Sequence, residues 1–158
     1  LFKEKGFKAS HINGGNSISM TNDSGLLTAI SYVNGSSMMF KKSVIDEIGF
    51  MDEHLFMYVE ESEWCYRVKT QTHWLLATAL NVKALQKDSS RGPQHEYYMT
   101  RNRLWFCRKH KGNILSFVAE RFRKITKFWI GKNVNIGLKI SYTHKILKGM
   151  IDGSFMKI

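Results

Sequence analysis

The 158-residue chain is one ordinary domain or part of a larger one, and with 43% hydrophobic residues and a single proline it can bury a core and is not a disordered segment. Its net charge of +11 is uneven: residues 1–100 hold ten Lys/Arg against eleven Asp/Glu, a balance of −1, whereas residues 101–158 hold fourteen against two, a balance of +12. Two cysteines and six histidines without metal-ligand spacing argue against a disulfide framework and a structural zinc site, and no apolar run approaches the ~18 residues of a membrane helix.

In chain order, residues 10–28 are rich in Gly, Asn, Ser and Thr and read as a long polar loop with turns. Ile30 to Val33 reads as a short β segment, Asn34-Gly35 as a turn, and Ser37 to Phe40 as a buried strand. Ser43-x-x-Asp46 has the form of a capping box and Gly49 suits a helix stop, so residues 44–48 are expected to be helical. A second helix is predicted from Glu60 to about Thr70, with acids in its first turn and Arg67 and Lys69 near its end. Residues 73–78 and 81–86 read as short strands, and from about Gln94 the pattern is helical to the end. The charge break divides the chain into residues 1–92 and a basic helical part, 93–158.

The stretch richest in chemistry is Tyr58-Val59-Glu60-Glu61-Ser62-Glu63-Trp64-Cys65-Tyr66-Arg67. Neighbouring like charges repel, so three carboxylates in four positions need a reason. A helix start supplies one, because acids there meet the positive end of the macrodipole. A general base supplies another, since an ionised carboxylate beside a pocket can take a proton from a sugar hydroxyl as that hydroxyl attacks. By composition alone the solvated acidic helix start is the commoner case.

The run from Tyr32 to Arg67 resembles the acceptor-side half of a family 2 glycosyltransferase, particularly its rhamnosyltransferase-like branch. Gly49-Phe50-Met51-Asp52-Glu53, Phe56, Tyr58, Glu60, Glu61, Glu63 and Arg67 occupy the positions of that family's "GxFDE" and "F-x-Y-x-E-D-x-D-L-x-x-R" segments. Glu96 to Asn102 is similar to its "YY-x-x-RN" helix, and Lys148 to Gly153 to its closing "K-G-x-x-D-G". The resemblance implies an α/β chain, the C-terminal half of a GT-A fold followed by basic amphipathic helices. It implies inverting transfer of a sugar from a nucleotide-diphosphate donor to a glycan or lipid-linked acceptor in cell-envelope polysaccharide synthesis. Glu61 takes the position of the catalytic base; Gly35, Glu60, Asp52, Trp64 and Arg67 become substrate-binding candidates. Arg67 also suits pairing with the acidic cluster, and Trp64 suits a core.

Three departures stand out. Glu61 replaces the family's Asp, which moves the carboxylate out by one methylene, and ~1 Å of misplacement can cost ~100-fold in rate. Where the family often has a histidine, the chain reads Val82-Lys83-Ala84-Leu85-Gln86-Lys87, with the two lysines as substitute diphosphate contacts. Asp23 stands alone, with no "D-x-D" segment and no glycine-rich phosphate loop, so the divalent metal (Mg or Mn) of a complete enzyme would be held mainly by residues absent here. The chain therefore reads as truncated, or as one piece of a split protein.

In the basic third, Ile114, Val118, Phe122, Ile125 and Trp129 recur at helical steps with Arg121, Arg123, Lys124 and Lys127 among them. A second stripe runs through Ile140, Ile146, Leu147 and Met150 beside Lys139, Lys145 and Lys148. Such helices suit either packing against the rest of the domain or the surface of an anionic membrane. The resemblance, to enzymes that commonly work on lipid-linked or cell-envelope acceptors, implies the membrane, with the chain in the cytoplasm at the inner face of the cell membrane. The rival is a non-catalytic basic module that binds membrane or nucleic acid through Arg101, Arg103, Trp105, Phe106, Arg108 and Lys109. Nucleic acid is the disfavoured partner, because no recognised binding motif is present.

Overall fold

The structure is a computed structural model that describes residues 19–20, 27–33, 35, 38–79, 92–131 and 134–158. These described residues fall into two compact units: those between 19 and 56 together with 60–79 form the first, and 57–59 together with those between 92 and 158 the second.

In the first unit, β1 (Ser19–Met20), β2 (Leu27–Ala29) and β3 (Ala77–Ala79) form an antiparallel sheet in that order. Leu27 faces Ala79 and Ser19 faces Thr28, and the Ile30 amide donates to the Leu76 carbonyl at 2.9 Å. Helix α1 (Lys42–Ile48) ends at Gly49, whose φ of 75° is open to glycine without strain. Helix α2 (Glu60–Gln71) buries Glu63, Trp64, Cys65 and Val68. Val44 of α1 packs against Trp64, Cys65 and Val68 of α2, with Tyr32, Val33 and Ile48 at the edge of this core. Burial pushes the Cys65 thiol up to about 11, so it is an inert core group.

The GT-A α/β architecture does not survive this description. The described residues make five α-helices and strands of only two or three residues, all paired antiparallel. A parallel α/β sheet needs long apolar strands covered on both faces. The segment expected as a buried strand, residues 37–40, shows none over 38–40, and Met39 is 97% exposed. Strand β2 ends before the expected Ile30–Val33 segment, because the ladder partner at residues 77–79 aligns with Leu27–Ala29. The capping box does not form either: α1 starts at Lys42 without a side-chain cap, and Asp46 pairs with Lys42 at 2.9 Å. The strand expected at 81–86 lies outside the described residues.

The second unit holds α3 (Pro93–Lys109), α4 (Ile114–Ile130) and α5 (Ile136–Phe155). Pro93 sits in the first turn of α3, where its missing N–H is harmless. The Asn113 and Asn135 side chains accept the amides of Ser116 and Gly137 at the starts of α4 and α5. Helices α3 and α5 approach closely at two glycines. A Cβ on Gly149 would lie 2.6 Å from the Tyr97 carbonyl oxygen, and one on Gly153 would lie 2.6 Å from that of Arg101. Beside them the Tyr97 hydroxyl donates to Asp152 at 2.6 Å. The Arg108 guanidinium donates to the carbonyls of Gly153 and Met156, which closes the end of α5.

Charges are buried here as well. Glu96 accepts from Lys124 at 2.6 Å and lies 3.8 Å from Arg121. Burial alone would raise the Glu120 carboxyl, but its bonds to Arg103 and Arg121 overcome that and hold it down at about 2. The buried amide of Asn102 donates at 2.7 Å to the carbonyls of both Met57 and Tyr58. That grip holds a short segment in which Tyr58 and Val59 have φ of 66° and 76°. A β-branched residue rarely adopts that region, and such strain persists only where the surroundings over-determine it.

Gly149→Ala tests the close approach. Alanine is the better helix former by about 1 kcal/mol, but here its methyl group meets backbone that cannot rotate away. We expect a net loss of ~1–3 kcal/mol, read as a lower urea midpoint. An unchanged or higher midpoint would mean that the two helices separate freely.

Candidate functional site

The first turn of α2 carries Glu60, Glu61 and Glu63, and each carboxylate has a different environment. Glu63 is fully buried and pairs with the Arg67 Nε at 2.8 Å, one helical turn on. The same guanidinium donates to the carbonyls of Ile48 and, at 2.6 Å, Phe50. Arg67 thus neutralises the buried acid and satisfies carbonyls at the end of α1. Glu60 has one oxygen, Oε2, buried without a hydrogen-bond partner among the described residues. Burial, and secondarily the charge of Glu61, pushes its carboxyl above the usual range.

Glu61 is placed differently. The Tyr32 hydroxyl donates to its Oε1 at 2.8 Å, and a Cβ on Gly35 would stand 3.5 Å from its Cδ. Burial first, and then the negative charge of Glu61, raises the Tyr32 phenol above its ordinary value, so it remains a donor. A carboxylate has about four acceptor positions, so one bond from Tyr32 leaves Glu61 able to accept another proton. Glu61 is half-buried, and a Cβ at position 35 would be in ordinary van der Waals contact with its carboxylate, so Gly35 leaves that side of it without a side chain. Tyr32, Gly35 and Glu61 therefore form one local constellation.

The remaining candidates stand apart from it. Asp52 caps a short 3-10 turn (Glu53–Leu55), accepting the His54 amide at 3.1 Å and pairing with the His54 Nδ1 at 2.8 Å. Trp64 is 2% exposed; its Nε1 donates to the Gly49 carbonyl at 3.0 Å, and its ring lies 5.3 Å from that of Phe40. Both do structural work at these distances, as Arg67 does. Lys83 and Lys87 lie outside the described residues. Tyr32 is the residue that sequence reasoning missed. No spacing rule links it to Glu61, 29 positions away.

No group of three or more His, Cys, Asp or Glu side chains comes together to hold a metal among the described residues. The described residues do not fit a resident metal site. One apolar cavity of 260 Å³ opens between α4 and α5, lined by Ile125, Phe128, Tyr142 and Ile146 with Lys124 and Lys127. It contains no carboxylate and so offers no base. Among the described residues no helix is long and apolar enough to cross a membrane.

Over 45 residues the chain is 42% identical to the low-salt glycan biosynthesis hexosyltransferase Agl10 of Haloferax volcanii. The likeness is to a glycosyltransferase. The matched stretch covers 28% of this chain and 15% of that protein. No family model and no solved structure matches the chain.

Two stability experiments follow from these environments. Arg67→Met takes the guanidinium away from the buried Glu63 carboxylate and from the Ile48 and Phe50 carbonyls, and we expect a loss of ~3–5 kcal/mol. The double variant with Glu63→Gln should recover part of it, as a double-mutant denaturation cycle would show. A single variant as stable as the parent would deny the pair its role.

Glu60→Gln acts in the opposite direction. A carboxyl whose folded pKa is raised favours the fold while protonated in both states, and that contribution is lost as pH rises through the folded pKa. The neutral amide should therefore raise the unfolding midpoint at pH 7. The gain should vanish below the ordinary glutamate pKa of about 4.3. A gain of equal size at both pH values would show that charge is not its cause.

Proposed function

We propose that this chain is part of an inverting glycosyltransferase of the family 2, rhamnosyltransferase-like type, with Glu61 as its general base. The observation that carries this reading is the half-buried Glu61 carboxylate in the first turn of α2, oriented by Tyr32 at 2.8 Å with Gly35 beside it. Likeness to a hexosyltransferase over 45 residues supports the reaction class.

In the proposed reaction an acceptor hydroxyl oxygen attacks the anomeric carbon of a nucleotide-diphosphate sugar. The new C–O bond forms as the bond to the diphosphate oxygen breaks, and that oxygen leaves with the electron pair. The hydroxyl proton passes to Glu61. Tyr32 steadies the carboxylate, and Gly35 lets the sugar come close. Glu60 shapes the pocket wall, and Asp52, Trp64 and Arg67 hold the framework around it. Donor recognition and the divalent metal of the complete enzyme belong to residues outside those described. The acceptor is a glycan or lipid-linked hydroxyl, and the reaction takes place at the inner face of the cell membrane.

The test is release of nucleoside diphosphate by the full-length protein, measured against a panel of nucleotide sugars and acceptors. Glu61→Gln should lower kcat by ~10²–10⁴, with little change in donor affinity. Glu61→Asp pulls the carboxylate back by about 1 Å and should cost about 100-fold. Parent rates in both variants would remove Glu61 from the chemistry and favour a non-catalytic module.

A further inference from the structure

Helix α4 buries only part of the stripe that its sequence advertises, with Val118 packed on the core and Ile125 half-buried. Phe117 and Arg121 face inward, while Leu115, Phe122 and Trp129, seven residues apart and so on one face, are 83%, 51% and 42% exposed. Helix α5 repeats the arrangement. Ile146, Gly149 and Gly153 are buried, whereas Ile136, Ile140 and Ile151 are 67%, 56% and 59% exposed. Exposed apolar side chains that share one face of a helix suit a docking surface better than singly scattered ones do.

Charge decides among the occupants. Residues 101–158 carry +12, and their two acids are engaged, Glu120 by Arg103 and Arg121 and Asp152 by Tyr97. A second copy would bring the same positive field against this one, which opposes self-association. Nucleic acid would match the charge but leave the apolar stripes uncovered, and the Trp105 and Phe106 rings that could stack on bases are buried. An anionic bilayer matches both properties: acyl chains take the stripes and headgroups meet the lysines and arginines. Since no described helix can span a bilayer, the two helices would lie in its plane.

We infer that α4 and α5 form an in-plane docking surface for an anionic lipid membrane, with Leu115, Phe122, Ile140 and Ile151 entering the acyl boundary and Arg123 and Lys127 meeting headgroup phosphates. This deepens the membrane location in the proposed function, and it stands or falls independently of sugar transfer.

Co-sedimentation of the full chain with phosphatidylcholine–phosphatidylglycerol vesicles, against pure phosphatidylcholine vesicles, tests it. The parent should bind the anionic vesicles far more tightly. Leu115→Gln/Phe122→Gln and Ile140→Gln/Ile151→Gln leave the charge unchanged and should each weaken binding by at least about tenfold. Arg123→Gln/Lys127→Gln should weaken it by about fivefold per residue at low salt. Circular dichroism and melting of each variant report folding, and if the α4 pair does not fold, the α5 pair decides. Glu61→Gln should bind vesicles as the parent does, which separates this result from the catalytic one. Equal binding to both vesicle types, absence of binding, or parent-like binding by the apolar variants overturns the inference. So does a dimer that the apolar variants dissolve in a chain that ignores vesicles.

Discussion

The first unit depends on one buried charge pair. Glu63 sits inside the core, and Arg67, one turn later, offsets its charge there. The arginine then uses its remaining N–H groups on the Ile48 and Phe50 carbonyls, where α1 ends and the chain turns. A lysine in this position would supply charge without the planar fork that reaches three acceptors. The pair thus ties the end of α1 to the start of α2, the turn that also carries Glu60 and Glu61. The acidic crowd is therefore three separate environments: Glu63 is structural, Glu60 is a destabilised carboxyl, and Glu61 is an accessible carboxylate with a fixed donor.

The second unit rests on closeness rather than charge. Gly149 and Gly153 remove the side chains that would keep α3 and α5 apart, and the Tyr97–Asp152 bond fixes their register. The two motifs at 96–102 and 148–153 thus read as two halves of one helix contact. Asn102, the last residue of the first motif, has a separate task, since it holds the Met57–Val59 segment in a backbone conformation that such residues seldom adopt. Buried ion pairs around Arg121 complete the unit, and they explain why α4 turns an arginine inward and leaves phenylalanine and tryptophan outside.

Some of this was legible from local signals. The span of α2 follows from acids at its start and Lys69 near its end, because the macrodipole acts within a single turn. The stop at Gly49 follows from a φ that only glycine adopts freely. The helical run after residue 92 follows from periodicity and Pro93. The strands were read poorly because pairing is a long-range choice. Nothing near Leu27–Ala29 announces Ala77–Ala79 as a partner, and strands of three residues carry little pattern. The α/β expectation came from the resemblance, and it fails because the described strands are two or three residues long and pair antiparallel.

The sequence by itself determined the span of α2, the stop at Gly49, where the positive charge accumulates, and that Glu61 opens a helix beside two other acids. These are properties of neighbouring residues, and local physics is enough to read them. Only the tertiary structure decided which carboxylate is buried, which is paired and which is accessible. It alone brought Tyr32 to Glu61 across 29 positions and left Phe122 and Trp129 of α4 exposed. Burial and partnership depend on what the rest of the chain places opposite a side chain, and no spacing along the sequence carries that information.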